Sequence, residues 1–195
     1  MNFQLRRATM DDVPSAAATL VDAFDSYPWT RWSIPADDYL ARLERLQAIY
    51  LSHAIEHGLV LISHDRDGVA ALLPPDCPEP DTQRQEEIAE LMGERLEIMF
   101  GAQLPARPEN SWELATLGVA KSSAGRGLGS ALLRKSLWSV ATSPFPRVSL
   151  ETSAAQNVRL YQRHGFVLSQ CTDIEEGPRV YSMRAELTDH LRLGV

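Results

Sequence analysis

Two cysteines in 195 residues are too few for a disulfide framework, and Cys77 and Cys171 lie in no C-x-x-C or histidine-rich context that would hold a metal. No 18-residue apolar run exists, so no transmembrane helix is expected. The start, Met1-Asn-Phe-Gln-Leu5, lacks the basic-then-apolar order of a secretion signal, and a cytoplasmic location is the expectation. Positive charge is also scarce. Against 26 Asp and Glu there are 19 Lys and Arg, a net charge of −7, which argues against nucleic acid as a partner and favours cationic substrates. No internal repeat or low-complexity segment interrupts the chain. Its 44% hydrophobic and 23% charged residues are ordinary for a globular protein, and the length suits one domain over residues 1–195.

What is present is a strand-like run, Trp112-Glu-Leu-Ala-Thr-Leu-Gly-Val119, followed by Ala124-Gly-Arg-Gly-Leu-Gly-Ser130 and an apolar, helix-patterned segment. Glycines in such a loop let backbone N–H groups approach a bulky anion without Cβ interference. The helix N-terminus behind them adds unpaired donors and a positive dipole end. The combination predicts a pyrophosphate site. A P-loop would need a Lys-Ser/Thr pair, and here Gly129 is followed by Ser130 and Ala131. A dinucleotide fingerprint fails too, because its third glycine position falls on Ser130 or Leu132 and Lys121 to Ala124 make the turn too long. The coenzyme A pattern Q/R-x-x-G-x-G/A fits Gly127 and Gly129, with Ala124 in place of the polar first residue. A glycine-rich turn with no ligand is the bland alternative.

The rest of the chain reads as alternating strands and helices. Phe3 to Arg7 is a first strand. Thr9 and Asp12 mark a helix start, and Val13, Ala16, Ala17, Leu20 and Phe24 form its apolar face. Ser26 to Pro35 is expected to be an irregular aromatic loop. Asp37 to Glu56 is a long helix on the stripe Tyr39/Leu40, Leu43, Leu46/Gln47 and Tyr50. Leu59–Ser63 and Val69–Leu73 flank a hairpin turn at Asp65–Gly68. Thr82 to Phe100 reads as one helix and Gly127 to Ala141 as another. The Val148 strand, a helix from Asn157 to Gly165, and two strands around Val167–Ile174 and Val180–Leu187 complete the chain.

Val148-Ser-Leu-Glu-Thr-Ser153 leads into Ala155-Gln-Asn-Val-Arg-Leu-Tyr-Gln-Arg-His-Gly-Phe166. Here, with Asn157, Tyr161, Gly165 and Phe166, the chain closely resembles the GNAT superfamily of acetyl-CoA-dependent N-acetyltransferases. Within it the chain is most similar to the puromycin-type enzymes. The matching stretches are Leu5–Pro14, Ala23–Pro28 with Thr30-Arg31, Leu114–Val119, Gly127–Ala131, Leu150–Ala154 and Glu176–Arg179, and the match is weakest between about Asp76 and Glu109. The resemblance implies an α/β (α+β) fold: a mixed, curved sheet of about seven strands flanked by helices. Two central strands, here Trp112–Val119 and Val148–Thr152, splay apart around acetyl-CoA. It also implies cofactor contacts from Leu117, Gly118, Val119, Ala124, Gly125, Arg126, Gly127, Leu128, Gly129, Ser130, Asn157 and Tyr161.

Acetyl transfer to an amine calls for a base, charge stabilisation on the carbonyl oxygen and an acid for the leaving thiolate. The resemblance assigns the acid to Tyr161, one turn after Asn157. Two carboxylates are candidates for the base. Glu113 lies fourteen residues before Gly127, as in histone-type members, and Glu151 stands where the puromycin type has a glutamate. Glu151 is favoured. Tyr27, Trp29 and Trp32 form an aromatic cluster suited to stacking an acceptor, or else merely cover the core. His53 and His57 are four apart but have no third ligand, so no metal is assigned. His164 stands beside the Gly165 helix stop, where a cation is favoured. The expected partner is a small-molecule amine, with no nucleic acid and no membrane. A protein N-terminus or lysine as acceptor, or a cofactor-sensing domain without turnover, are the alternatives. The oligomeric state is open between monomer and homodimer.

Overall fold

A computed structural model of the chain describes residues 3–187. Seven strands form one sheet in the order β1-β2-β3-β4-β5-β7-β6. They are β1 (Leu5–Arg7), β2 (Leu59–Ser63), β3 (Gly68–Leu73), β4 (Trp112–Val119), β5 (Arg147–Thr152), β6 (Val167–Asp173) and β7 (Arg179–Glu186). Among the described residues seven α-helices accompany them: α1 (Val13–Phe24), α2 (Pro28–Ser33), α3 (Tyr39–His57), α4 (Thr82–Met92), α5 (Arg95–Gly101), α6 (Leu128–Ala141) and α7 (Ala155–Arg163). Neighbouring strands are antiparallel except β4 and β5.

The continuous apolar runs of β2 and β3 are explained by burial on both faces. Leu59, Leu61, Ala70 and Leu72 point into a cluster with Leu128, Leu132, Leu133 and Leu137 of α6. Their neighbours Val60, Ile62, Val69 and Ala71 pack on Ala16, Ala17 and Leu20 of α1 and Leu51 and Ala54 of α3. A third cluster joins Ile34, Tyr39, Leu43, Leu46 and Met92 away from the sheet.

Three local expectations change. The aromatic segment after α1 is not irregular, for Pro28–Ser33 is helical. Pro28 occupies the first turn, where its missing N–H costs nothing and its fixed φ favours the helix. The segment Thr82 to Phe100 breaks into α4 and α5 at Gly93, which has φ +51. The α3 stripe holds at Tyr39, Leu43 and Leu46, which are buried, but is wider than expected: Ile49, Leu51 and His53 are buried too, while Leu40 and Tyr50 are 54% and 42% exposed. Tyr50 is turned instead toward a cavity described below.

The start of α1 is anchored by Asp12. Its carboxylate accepts both Arg6 guanidinium nitrogens at 2.7 Å and the Thr9 N–H at 2.9 Å. The Thr9 hydroxyl also donates to Asp12, at 3.2 Å, so the reach back from Asp12 is as expected. The carboxylate is shielded by these partners rather than by depth, and the Arg6 bond foremost holds its pKa well below the usual carboxylate range.

Gly58 ends α3 where it meets β3, and a Cβ there would stand 2.2 Å from the Leu72 carbonyl oxygen. Backbone cannot swing aside as a side chain can. Gly58→Ala is expected to cost about 1–3 kcal/mol, the range for overpacking, read as a lowered urea midpoint with unchanged m-value.

Candidate active site

β4 and β5 are hydrogen-bonded neighbours only at their start, where Trp112 pairs with Val148 and Glu113 with Ser149. Beyond that point they part. The register of β4 on β3 slips there as well: Leu72 faces Leu114 and Ala71 faces Thr116, leaving Ala115 unpaired. Such a bulge bends a strand and re-aims its residues. The parting opens a cleft of about 420 Å³, lined on the β4 side by Glu113 to Leu117 and on the β5 side by Glu151 to Ser153. That volume lies within the range of small-molecule sites. The splayed pair expected from the sequence is therefore present.

At one end of the gap, β4 runs into the glycine loop. Gly125 and Gly127 have φ of +75 and +91, a region nearly closed to other residues, and Gly127 caps α6. Among the described residues no acceptor meets the N–H groups of Gly125, Arg126 or Gly127, and the first N–H groups of α6 have no intrahelical partner. A row of free donors thus faces outward, with the Arg126 side chain exposed beside it. The loop is braced from behind. Lys121 N–H donates to Asp22 at 2.6 Å, and Ala120 N–H to the Asp67 carbonyl at 2.8 Å. Neither Asp22 nor Asp67 carries a local sequence signal for this role. Gly118 serves packing as well, since a Cβ there would meet Leu20 at 2.5 Å.

On the other wall, Tyr161 and Asn157 line the cleft from α7. Tyr161 is buried, packs edge-on against Phe166, and its hydroxyl has no hydrogen-bond partner among the described residues. Burial first, and the nearby Tyr27 second, push its pKa far above the ordinary tyrosine range, so the proton stays on at neutral pH. Asn157 Nδ2 lies 3.4 Å from Thr152 Oγ1.

Thr152 and Ser153 are positions to which sequence reasoning assigned no role. Thr152 Oγ1 is 2.7 Å from the Tyr27 hydroxyl, which in turn accepts the Ser153 N–H at 2.9 Å. Ser153 Oγ accepts the Trp29 N–H at 3.0 Å. The aromatic segment is thereby tied to the end of β5. Tyr27 and Trp29 line the cleft, but Trp32 does not: it is buried beneath Trp29, with ring centroids 5.1 Å apart. The remaining wall comes from α3, α4 and α5 through Gln47, Tyr50, Met92 and Met99. Residues far apart in sequence build it, which is why no local pattern announced it.

The two carboxylates differ. Glu151 faces the cleft and accepts a hydrogen bond from Ser182 Oγ at 3.2 Å. Although its surface is open to the cleft, the surrounding walls desolvate it and raise its pKa, with the Glu113 charge adding to the rise. Glu113 lines the same cleft but is engaged in an ion pair with Arg107. His164 is not a helix-end cation. Burial, with Arg134 and Arg163 nearby, lowers its pKa, and its Nε2 lies 3.0 Å from Ser130 Oγ, linking α7 to the first turn of α6. For the His53–His57 pair, the structure supplies a third ligating group in Glu56.

Among the described residues, no helix is long and apolar enough to cross a membrane. A family model for the acetyltransferase (GNAT) domain matches residues 80–187. Solved structures share the fold across nearly the whole chain. One is a protein of Corynebacterium glutamicum described as histone acetyltransferase HPA2 and related acetyltransferase (24% identity, TM-score 0.72, covering 94% of this chain and 96% of that one). Another is arylalkylamine N-acetyltransferase 2 of Aedes aegypti (14% identity, TM-score 0.68, covering 96% and 100%). A third is the PaiA N-acetyltransferase of Thermoplasma acidophilum, in complex with coenzyme A (15% identity, TM-score 0.61, covering 95% and 99%). The matched domain, the seven-stranded open sheet parted at β4 and β5, and the free donors of the glycine loop agree: the chain belongs to the GNAT family and is an acyltransferase that uses acetyl-CoA.

Proposed function

We propose that the chain acetylates the primary amine of a small molecule carrying an aromatic or nucleoside-like portion, with Glu151 as base and Tyr161 as acid. One observation carries the reading: a raised-pKa carboxylate and a protonated, unpartnered tyrosine hydroxyl line the same cleft. The free N–H groups at Gly125–Gly127 and the first turn of α6 suit a pyrophosphate, and Leu117 borders the gap in which the pantetheine arm belongs. Acetyl-CoA supplies the acetyl group as a thioester.

The residues divide the proton work by their surroundings. An amine of pKa near 8–10 arrives mostly as its ammonium ion, and a carboxylate welcomes that charge and can take the proton, directly or through a water. Glu113 is less suited because Arg107 already occupies it. Tyr161 Oη, still protonated at neutral pH, holds a proton that a departing sulfur needs. Backbone N–H groups of β4, which lost β5 as a neighbour, are available to a carbonyl oxygen.

A small acceptor is supported by the walls. Tyr27, Trp29, Tyr50, Met92 and Met99 enclose apolar volume on several sides. A peptide would need an open groove instead. The resemblance to puromycin-type enzymes and the net charge of −7 also favour a cationic, aromatic amine. An acetylation screen of purified protein should give turnover with aromatic or nucleoside-type amines, puromycin among them, and little with histone-like or N-terminal peptides. Ready acetylation of the peptides alone would reverse the assignment, and absence of turnover with every amine class would favour a sensing role.

Two substitutions separate the roles. Tyr161→Phe should keep coenzyme A affinity within a few-fold and lower kcat by roughly 10²-fold or more, the usual range for a lost general acid; calorimetry and single-turnover rates check both halves. Glu151 acts as a base only when ionised, so kcat/KM should rise with pH through a pKa above the ordinary glutamate value of about 4.3. Glu151→Gln should remove that rising limb from the pH–rate profile, while Glu113→Gln should leave it in place.

A further inference from the structure

The last turn of α3 carries a second cluster of ligating side chains. His53, Glu56 and His57 each offer a ligand atom, and these atoms lie within 4.8 Å of one another. The two histidines are four apart and share a helix face, with ring centroids 4.7 Å apart.

The tautomer of the neutral His53 ring follows from its neighbours. Its Nε2 is 3.0 Å from the Pro78 carbonyl oxygen, which can only accept. In the neutral ring Nε2 therefore carries the hydrogen, and Nδ1 offers a lone pair. That Nδ1 is buried and has no hydrogen-bond partner among the described residues, in a residue only 4% exposed. A lone pair on one nitrogen with the other donating to a backbone carbonyl is the arrangement found when imidazole binds a metal. Cys77 Sγ approaches the protonated side, 3.4 Å from Nε2, and so stands apart from the lone pair.

Glu56 is already oriented. Arg84 Nη1 and Nη2 donate to its two oxygens at 2.6 and 2.7 Å, and His57 Nε2 is 3.8 Å from Oε2. Each carboxylate oxygen retains a further lone pair, so Arg84 can support a ligating carboxylate from behind. Side chains of Glu56 and His57 are 36% and 38% exposed, which leaves them room to turn and an ion a route in from solvent.

We propose that His53 Nδ1, Glu56 and a ring nitrogen of His57 bind one divalent transition ion of the Zn²⁺ type, with water completing the coordination. Two imidazoles and a carboxylate suit Zn²⁺ or Co²⁺ and not Mg²⁺ or Ca²⁺, which take all-oxygen sites. Around a tetrahedral ion with bonds of about 2.1 Å the ligand atoms stand roughly 3.4 Å apart, so the exposed pair closes slightly onto His53. The ion is a clasp. It joins the end of α3 to α4 through Glu56 and Arg84, and it fixes His53, which also lines the acceptor cleft.

The test is titration of the tag-free chain with Zn²⁺ and with Co²⁺. One ion per chain is expected, with a higher thermal midpoint in its presence and a Co²⁺ absorption spectrum free of thiolate charge transfer. His57→Ala and Glu56→Gln should each weaken binding 10-fold or more and abolish the thermal shift. His64→Ala, at the exposed β2–β3 turn, should change neither. Circular dichroism and thermal midpoints without metal establish that the variants fold. Absence of saturable binding at micromolar metal, affinity unchanged in both cluster variants, or a thiolate charge-transfer band would each overturn the assignment.

Discussion

The parting of β4 from β5 is the constraint on which the rest of the structure depends. Each strand keeps its outer neighbour, β3 for β4 and β7 for β5, so the sheet survives while its centre opens. Past Glu113 and Ser149, backbone polar groups that would have been ladder bonds are left to other partners. The unpaired Ala115 bends β4 at that point. An opening in the middle of a hydrophobic sheet is costly unless something lines it, and the walls are made from residues that tolerate both water and a ligand: Thr152, Ser153, Asn157, Glu151 and the aromatic rings of α2 and α3.

Holding such a gap open requires ties across it and behind it. Tyr27, Thr152 and Ser153 form one tie, joining the segment after α1 to the tip of β5. Asp22 and Asp67 form another, fixing Lys121 and Ala120 so that the glycine loop presents its N–H groups in one conformation. The contact between His164 and Ser130 couples the helix that bears Tyr161 to the helix that starts at Gly127. The cleft wall that bears Tyr161 and the glycine loop thus share one frame.

Much of this was legible in the sequence where the signal is local. Strand runs at Trp112–Val119 and Val148–Thr152, the glycine spacing, and Tyr161 one turn after Asn157 each sit within a dozen residues, and the fold follows from them. What was not legible came from long range. Pro28 lies in a segment that reads as an irregular loop but starts a helix, because the missing N–H falls in a first turn. The buried face of α3 extends beyond the expected stripe of Tyr39, Leu43 and Leu46 because that helix also packs on the sheet and lines the cleft, so more than one side of it is buried. Trp32 and Trp29 look equivalent in sequence; only packing puts one beneath the other. The braces from Asp22 and Asp67 lie 99 and 53 positions from the residues they hold, and no periodicity connects them.

The proposed place of coenzyme A is the gap between β4 and β5, with its pyrophosphate on the glycine-loop backbone. Backbone amide NMR during titration with coenzyme A tests this directly. Shifts and slowed exchange should appear together at Gly125–Ser130 and along Ala115–Val119, while amides of β2 and β6 stay unchanged. Saturable binding that leaves both of those segments untouched would contradict it.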